Sequence, residues 1–154
     1  MIVEKIMRPI YTIEEDKTFF DCLVEMQKHK INNLLAINQE GKLVGMVNSN
    51  QIIHTVIPNY LKDNCIAASF VSEDIFIEDI LKVKDLLVKE FMIQDILTVG
   101  MQDNIAEVSV LSLKHKKQLR LPVVDKEGRP VGIVTKTELR RFIASVLGIG
   151  KFGK

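Results

Sequence analysis

The chain contains few residues of the kinds that mark disulfide-rich, metal-binding or membrane-spanning proteins. Its 154 residues include only two cysteines. Cys22 and Cys65 are isolated in the sequence, which offers neither a disulfide framework nor a zinc-binding set, so we expect two buried free thiols. No stretch approaches the roughly 18 consecutive apolar residues that a membrane span needs. These absences indicate a globular protein without a metal site or a membrane span.

Further absences argue against secretion, nucleic-acid binding and catalysis. Glu4, Lys5 and Arg8 interrupt any apolar segment of a secretory signal, so we expect a cytoplasmic protein. The formal net charge is +1. The half from Glu78 onward is mildly basic, but it lacks the basic stripe of a nucleic-acid-binding surface. The chain has no Gly-rich phosphate loop, no HExxH and no CxxC, and its histidines lack catalytic partners at a useful spacing. We therefore expect no catalytic residues and no enzyme activity.

The sequence does contain a duplicated motif. The nine residues V-G-M-V-N-S-N-Q-I begin at Val44, and V-G-I-V-T-K-T-E-L begins at Val131. A shift of 87 positions (132 minus 45) superimposes the two glycines, and the turns N-Q-E-G and D-K-E-G before the motifs then coincide. Two copies of one unit therefore make up most of the chain. We predict a first repeat at 1–56, a helical insert or linker at 57–84, a second repeat at 85–147 and a flexible tail at 148–154.

Each repeat predicts a strand, a helix, a two-stranded hairpin and a closing helix, which is a mixed α/β arrangement. The first helix of each repeat begins with N-cap and N3 spacing, in Thr18 with Asp21 and in Asn104 with Glu107. The predicted strands are Ile10–Ile13, Asn33–Asn38 and Lys42–Val47 in the first repeat, and Ile96–Val99, Arg120–Asp125 and Pro130–Val134 in the second. The predicted core positions of the two helices are Phe19, Leu23 and Met26, and Ile105, Val108 and Ser112.

The connection between the repeats is too long to lack structure in a compact protein. Pro58 predicts a break in regular structure near the end of the first repeat. Ser72, followed by two acidic residues, predicts a new helix, which Phe76, Ile80, Val83 and Leu87 continue at helical spacing. We expect two helical pieces, which either bind a partner or cover the module's own core.

The order, spacing and duplication of these motifs resemble a tandem pair of cystathionine β-synthase (CBS) domains, a Bateman module. The resemblance rests on L-P-V-V-D from Leu121 to Asp125, the following E-G, and V-G-I-V-T from Val131 to Thr135 with Glu138. It implies two β-α-β-β-α repeats packed sheet to sheet about a pseudo-twofold axis, with a ligand cleft on each side. It also implies a regulatory module, often a homodimer, that senses AMP, ADP, ATP, S-adenosylmethionine or a cyclic dinucleotide such as cyclic di-AMP and signals to an effector protein.

Thr135 and Glu138 have two interpretations. A helix that starts at Thr135 offers free amide groups and a positive dipole end to a phosphate, and a carboxylate one turn later can accept hydrogen bonds from ribose hydroxyls. Thr-x-x-Glu is also a capping box, in which the two side chains satisfy the amide groups of the helix start. One Glu138 carboxylate cannot fill both roles completely, and the sequence leaves both open.

The resemblance also implies a set of ligand-binding candidates in each repeat. Glu138 stands where the family usually has Asp. In the first repeat, Asn48 and Gln51 replace the Thr and the Glu. Because of these first-repeat replacements, we place the site in the second repeat. Its basic candidates can pair with phosphate or lie on a solvated surface. The second-repeat candidates are Ile96, Thr98, Arg120, Leu121, Pro122, Thr135, Lys136 and Glu138, and the first-repeat counterparts are Ile10, Thr12, Asn33, Leu34, Leu35, Asn48 and Gln51.

Two functions therefore follow from the sequence. The first is a regulatory module that binds an adenine nucleotide or another adenosyl ligand and changes conformation. The alternative is a ligand-independent dimerisation or protein-interaction module, in which both helix starts are only capped. Asn48 and Gln51 favour this alternative in the first repeat, because neither offers a carboxylate to a ribose.

Overall fold

Each repeat forms its own three-stranded sheet in the computed structural model, which describes residues 2–150. The strands are β1 (Thr12–Glu14), β2 (Asn33–Ile37) and β3 (Leu43–Asn48) in the first sheet, and β4 (Val99–Gly100), β5 (Arg120–Val124) and β6 (Pro130–Thr135) in the second. The helices are α1 (Phe19–His29), α2 (Ser49–Val56), α3 (Cys65–Ala68), α4 (Glu73–Val83), α5 (Val88–Phe91), α6 (Ile105–Lys114) and α7 (Lys136–Val146). The predicted mixed α/β class and the order β-α-β-β-α of each repeat are confirmed.

The chain divides into two compact units that are not continuous in sequence. The first-sheet unit contains Thr12–Asn38 and Val44–Gln94. The second-sheet unit contains the residues up to Tyr11, Gln39–Leu43 and the residues from Asp95 onward. The first residues of each predicted repeat therefore belong to the unit built on the other repeat's sheet. The predicted repeats, 1–56 and 85–147, are defined by sequence similarity and not by contacts, and their bounds remain a prediction.

The core of the first-sheet unit joins α1 to the sheet and to α5. Helix α1 begins at Thr18, whose Oγ1 accepts the Asp21 N–H at 3.1 Å, while an Asp21 carboxylate oxygen accepts the Thr18 N–H at 3.0 Å. This reciprocal pair confirms the predicted capping box. Phe19 then packs its ring edge against Phe91, with the ring centroids 5.4 Å apart. The other buried members are Ile13, Cys22, Met26, Leu34, Ala36, Val47 and Val88.

The core of the second-sheet unit contains residues from both ends of the chain. Val3 and Ile6 lie at the beginning of the first repeat, before β1, yet they are buried with β4, β5 and α7. The Val3 N–H donates to the Asp103 carbonyl at 3.0 Å, which fixes this segment beside the turn after β4. The remaining buried members are Val99, Ile105, Val108, Leu121, Val123, Val134 and Leu139. The predicted helical core positions Ile105, Val108 and Ser112 are all buried.

Several predicted local features differ from the structure. The strands predicted at Ile10–Ile13 and Ile96–Val99 begin later and are shorter, at Thr12 and Val99. Asn104 caps α6, but its side chain accepts the N–H of Ala106 at 2.7 Å and forms no reciprocal pair with Glu107. Proximity along the chain explains this, because the N–H two residues on lies within reach of a short Asn side chain.

The insert is helical, as predicted, but it forms three pieces rather than two. A 3-10 turn at Asn59–Leu61 and the short α3 precede α4, which Ser72 caps by accepting the Ile75 N–H at 3.3 Å. Helix α4 ends at Val83, so the predicted continuation to Leu87 is wrong. The described end of the chain turns back after α7, where the Ile149 N–H donates to the Ala144 carbonyl at 2.8 Å. The rest of the predicted tail, 151–154, lies outside the described residues.

The two cysteines have opposite environments, and the prediction that both are buried is wrong for Cys65. Cys22, on α1, lies in the core of the first-sheet unit at 0% exposure, whereas Cys65 is exposed at the start of α3. Burial raises the pKa of the Cys22 thiol to about 12, with a smaller contribution from the Asp21 carboxylate. The sequence alone could not separate them, because each is an isolated cysteine beside apolar residues.

This difference predicts a thiol-labelling pattern. Because the thiolate is the reactive form, native protein at pH 8 should react with Ellman's reagent through Cys65 alone, and urea should expose the second thiol. The measurement is the number of thiols released per chain before and after unfolding. The Cys65→Ser variant should show no fast phase in the native state. Two fast thiols in native wild type would contradict the burial of Cys22.

Candidate functional site

The second-repeat candidates meet along the β5–β6 hairpin at the start of α7. The antiparallel register pairs Arg120 with Thr135, Leu121 with Val134 and Pro122 with Ile133. Thr135 ends β6 and is also the N-cap of α7, so Lys136 is the first residue of that helix. The hairpin therefore places the Arg120 backbone beside the helix start, where the helix dipole favours an anion.

Gln118 holds the segment before β4 against the start of β5. Its side-chain Oε1 accepts the Leu97 N–H at 2.8 Å, and its Nε2 donates to the Leu97 carbonyl at 2.7 Å and the Arg120 carbonyl at 3.0 Å. These side-chain hydrogen bonds take the place of strand pairing at this point, which is why β4 begins only at Val99. They also position Ile96 and Thr98, which flank Leu97, next to the beginning of β5.

The Thr135–Glu138 capping box is present. Glu138 Oε1 accepts the Thr135 N–H at 2.8 Å and the Thr135 hydroxyl at 2.7 Å, and Thr135 Oγ1 accepts the Thr137 N–H at 3.2 Å. Glu138 is only 1% exposed. In this conformation the carboxylate caps its own helix and is covered, so a ribose can reach it only if the covering groups move.

Arg8 provides the charge partner of the buried carboxylate. Its Nε lies 2.9 Å from Glu138 Oε2. The backbone of Arg8 is fixed at the same place, because its N–H donates to the Ile133 carbonyl at 2.9 Å and its carbonyl accepts the Ile133 N–H at 3.0 Å. The Arg8 side chain is nevertheless about half exposed, so one face of the pair is open to solvent.

The first repeat forms the equivalent pair of backbone hydrogen bonds, but the side chain in the place of Glu138 is the neutral Gln51. Met46 and Ile93 exchange backbone hydrogen bonds of 2.9 and 2.8 Å, as Ile133 and Arg8 do in the second. Asn48 caps α2 by accepting the Gln51 N–H at 2.7 Å. The Gln51 side chain does not return to the N-cap, because its Nε2 donates to the Phe91 carbonyl at 2.5 Å. Gln51 thus secures the first residues of the second repeat.

The duplicated glycine explains how these leading segments approach so closely. A Cβ on Gly132 would meet the Sδ of Met7 and lie 2.7 Å from its Cγ, and a Cβ on Gly45 would meet the Sδ of Met92 and lie 2.7 Å from its Cγ. Such distances leave no room for a side chain. The glycine of each motif is therefore a structural requirement for packing a methionine.

The remaining candidates differ in accessibility. Leu34 and Leu121 are buried in the hydrophobic cores of their units, and Leu35 and Pro122 are also buried. Thr98, Lys136 and Thr12 are exposed, and Ile96, Arg120, Thr135, Ile10, Asn33, Asn48 and Gln51 are partly exposed. Ile10 belongs to the second-sheet unit, whereas the other first-repeat candidates belong to the first-sheet unit.

Asn33 carries a buried polar group without a hydrogen-bond partner among the described residues. Its Oδ1 is buried and accepts no hydrogen bond from any residue in the range 2–150. A buried amide oxygen without a donor is unfavourable. A ligand with an amino group or a hydroxyl could supply one, so Asn33 is the strongest polar candidate of the first repeat.

Sequence reasoning missed Arg8 and Gln118. Arg8 immediately follows Ile6-Met7, which matches Phe91-Met92, so the repeat alignment contained a signal that this segment was structural. It held no signal that Arg8 would pair with Glu138, because the two lie 130 positions apart (138 minus 8). Gln118 had no signal, since a side chain that replaces strand hydrogen bonds follows no spacing rule.

Comparison with known proteins identifies the fold. The family model of the CBS domain matches residues 3–57 and 88–145. The chain belongs to the CBS-domain family. Its sequence is 27% identical over 150 residues to the uncharacterized protein MJ1426 of Methanocaldococcus jannaschii, an alignment that covers 90% of this chain and 89% of the relative.

Two solved CBS pairs have the same fold. CBSX2 of Arabidopsis thaliana, in complex with AMP, superimposes with a TM-score of 0.69 at 23% identity, over 95% of this chain and 98% of that chain. The CBS domain pair of MJ0100, in complex with 5-methylthioadenosine and S-adenosyl-L-methionine, gives a TM-score of 0.66 at 23% identity, over 93% and 99% of the two chains. These likenesses confirm the tandem CBS pair.

The described part of the chain lacks two other kinds of feature. In residues 2–150, no cluster of three or more His, Cys, Asp or Glu side chains could hold a metal ion. Over the same residues, no helix has the length and apolar character required to cross a membrane.

Proposed function

We propose that this CBS pair is a regulatory module that binds an adenine nucleotide or another adenosyl ligand and signals through a change of conformation, without catalysing a reaction. The observation that carries the proposal is the convergence of Arg120, Thr135, Lys136 and Glu138 at the start of α7. That site combines helix amide groups, basic side chains and a carboxylate, which suit phosphate and ribose. The solved relatives in complex with AMP and with adenosyl compounds support the same ligand class.

The signal would be a population shift. A ligand can change the balance of two conformations only if it binds one of them better. The two conformations would differ at Glu138, whose carboxylate is covered when it caps α7 and pairs with Arg8. A conformation with Glu138 uncovered would bind a ribose better, and it would release the segment that carries Arg8. The receiving effector protein would recognise that difference.

Thermal unfolding against a panel of ligands tests this proposal. The panel contains AMP, ADP, ATP, S-adenosylmethionine and cyclic di-AMP. A ligand that binds only the native state should stabilise it by about 2.7 kcal/mol at a hundredfold excess over its dissociation constant. Glu138→Gln should reduce the shift, because a neutral amide accepts hydrogen bonds from a ribose more weakly than a carboxylate does. The first-repeat change Gln51→Ala should preserve the shift if the second repeat holds the ligand. No shift with any compound would exclude the proposal.

The alternative, a dimerisation module, is favoured by the apolar surface of the insert. Tyr60, Ile66 and Phe70 are 72%, 77% and 84% exposed, and Leu81 on α4 is 62% exposed. Exposed apolar groups concentrated in one segment are typical of an interaction surface. A second copy is the occupant that fits, because α4 begins with acidic residues and ends with Lys82, so two antiparallel copies would place opposite charges together.

Measurement of the molar mass in solution tests the alternative. Light scattering after size exclusion should give a dimer for the wild type and a monomer for Phe70→Glu. Leu113→Glu, which changes an exposed leucine on α6 in the other unit, is the matched control and should leave the dimer intact. A monomeric wild type, or a dimer that survives Phe70→Glu, would reject the insert as the dimer surface.

A further inference from the structure

The two repeats build the same backbone bridge, but with different side chains. Arg8 bridges to Ile133, and Ile93 bridges to Met46 at the equivalent place in the first repeat. In the first repeat, Ile93 stands in the place of Arg8 and the neutral Gln51 in the place of Glu138. The Gln51 side chain donates to the Phe91 carbonyl. The bridge therefore does not need an ion pair. The Arg8–Glu138 pair is an addition to the second repeat, at the place where the candidate site lies.

The geometry of the pair leaves hydrogen-bonding capacity on both partners. Glu138 Oε1 is occupied by the Thr135 N–H and hydroxyl. Oε2 lies 2.9 Å from Arg8 Nε, yet it is buried and accepts no hydrogen bond from residues 2–150. A carboxylate oxygen has two acceptor sites, and a guanidinium has five N–H donors. The contact is therefore electrostatic, and both groups can form better hydrogen bonds with a ligand.

The charges around the helix start favour an anion. Glu138 is the acidic side chain of this group, and its charge is already balanced by Arg8. Arg120 lies opposite Thr135 in the hairpin, and Lys136 begins α7, so two further basic residues stand at the same helix start. The dipole adds a partial positive charge there. A phosphate is attracted to such a site, and a cation is repelled.

We propose that Arg8 selects phosphate-bearing ligands at the second-repeat site by exchanging Glu138 for the ligand's phosphate. The inference rests on the proposed adenosyl-binding function and narrows its ligand class. The exchange releases Glu138 to accept hydrogen bonds from the ribose hydroxyls, so the preferred ligand carries both a phosphate and a free ribose diol. Adenosine would draw Glu138 away from Arg8 without offering Arg8 another anion. S-adenosylmethionine carries a positive sulfonium instead of a phosphate.

Calorimetric titration of AMP, adenosine and S-adenosylmethionine into the full chain tests this selectivity. Charge-assisted hydrogen bonds to phosphate should make AMP bind roughly tenfold to a hundredfold tighter than adenosine in the wild type. In Arg8→Gln, AMP should bind more weakly and adenosine more tightly, since Glu138 is no longer held by a cation. The ratio of the two affinities should then approach one.

Two further variants keep the test decisive. Arg140→Gln removes an exposed cation of α7 and should preserve the wild-type ratio. The double variant Arg8→Ile with Glu138→Gln copies the Ile93 and Gln51 of the first repeat, so it should fold even if Arg8→Gln does not. It should lose the preference for AMP, and circular dichroism should confirm its fold.

The outcomes separate the two proposals. If the wild type binds AMP and adenosine equally, or if the ratio is unchanged in Arg8→Gln or the double variant, Arg8 does not select the ligand although the site still binds adenosyl compounds. If the wild type binds none of the three compounds nor any other member of the panel above, the proposed function itself fails, and this inference fails with it.

Discussion

Leu121→Ala should lower the free energy of unfolding by about 3 kcal/mol, because it deletes buried methyl groups and leaves a cavity. Leu121 is 2% exposed and packs in the core of the second-sheet unit. Urea denaturation monitored by circular dichroism measures the change. Leu113→Ala is the matched control on the neighbouring helix α6, since Leu113 is 65% exposed and its loss should cost less than about 0.5 kcal/mol.

The same variant separates two roles for Leu121. The family resemblance placed it among the ligand-binding residues, whereas the structure buries its side chain beneath them. If it only supports the site, the dissociation constant of a ligand should be unchanged at a temperature where the variant is still folded. Weaker ligand binding with wild-type stability would show that Leu121 contacts the ligand and would contradict the packing described above.

Gly132→Ala should cost about 2 kcal/mol of stability, because the added Cβ would overlap Met7 in a packed interior. The Cβ would lie 2.7 Å from Met7 Cγ and 3.0 Å from Met7 Cβ, so rotation of the distal side chain alone cannot relieve the contact. Thermal or urea unfolding measures the loss. Gly45→Ala should behave similarly, since its Cβ would lie 2.7 Å from Met92 Cγ and 3.0 Å from the Ile93 carbonyl oxygen.

A double-mutant cycle identifies the cause of that loss. If the clash with Met7 is responsible, Gly132→Ala should cost much less in a Met7→Ala background, because the methionine side chain is no longer there. The two single changes would then add to more than the double change. Additive costs would instead indicate that the contact with Met7 is incidental.

Much of the fold followed from local patterns. The alternation of strands and helices, the Thr18–Asp21 and Thr135–Glu138 boxes and the helix after Ser72 all depend on residues within four positions of one another. Local hydrogen bonding decides such features, so spacing along the chain predicts them. The duplicated motif was predictable for the same reason, because repetition is visible without any knowledge of contacts.

The candidate site was predictable only in part. The hairpin and the start of α7 followed from the repeat, which placed Arg120, Thr135 and Glu138 in one region. The partner of Glu138 did not follow, because nothing in the sequence joins it to Arg8. The contrast between Cys22 and Cys65 was hidden for a similar reason, since burial depends on what the rest of the chain places over each residue.

The sequence by itself determined the two repeats, the order of their elements and the caps of their main helices, because these depend on neighbouring residues. Tertiary structure alone decided that the first residues of each repeat join the unit built on the other repeat's sheet. It also decided that Gly132 accommodates Met7, and that a buried Glu138 has Arg8 as its counter-ion. These pairs are distant along the chain, and only close packing and the burial of charge bring them together.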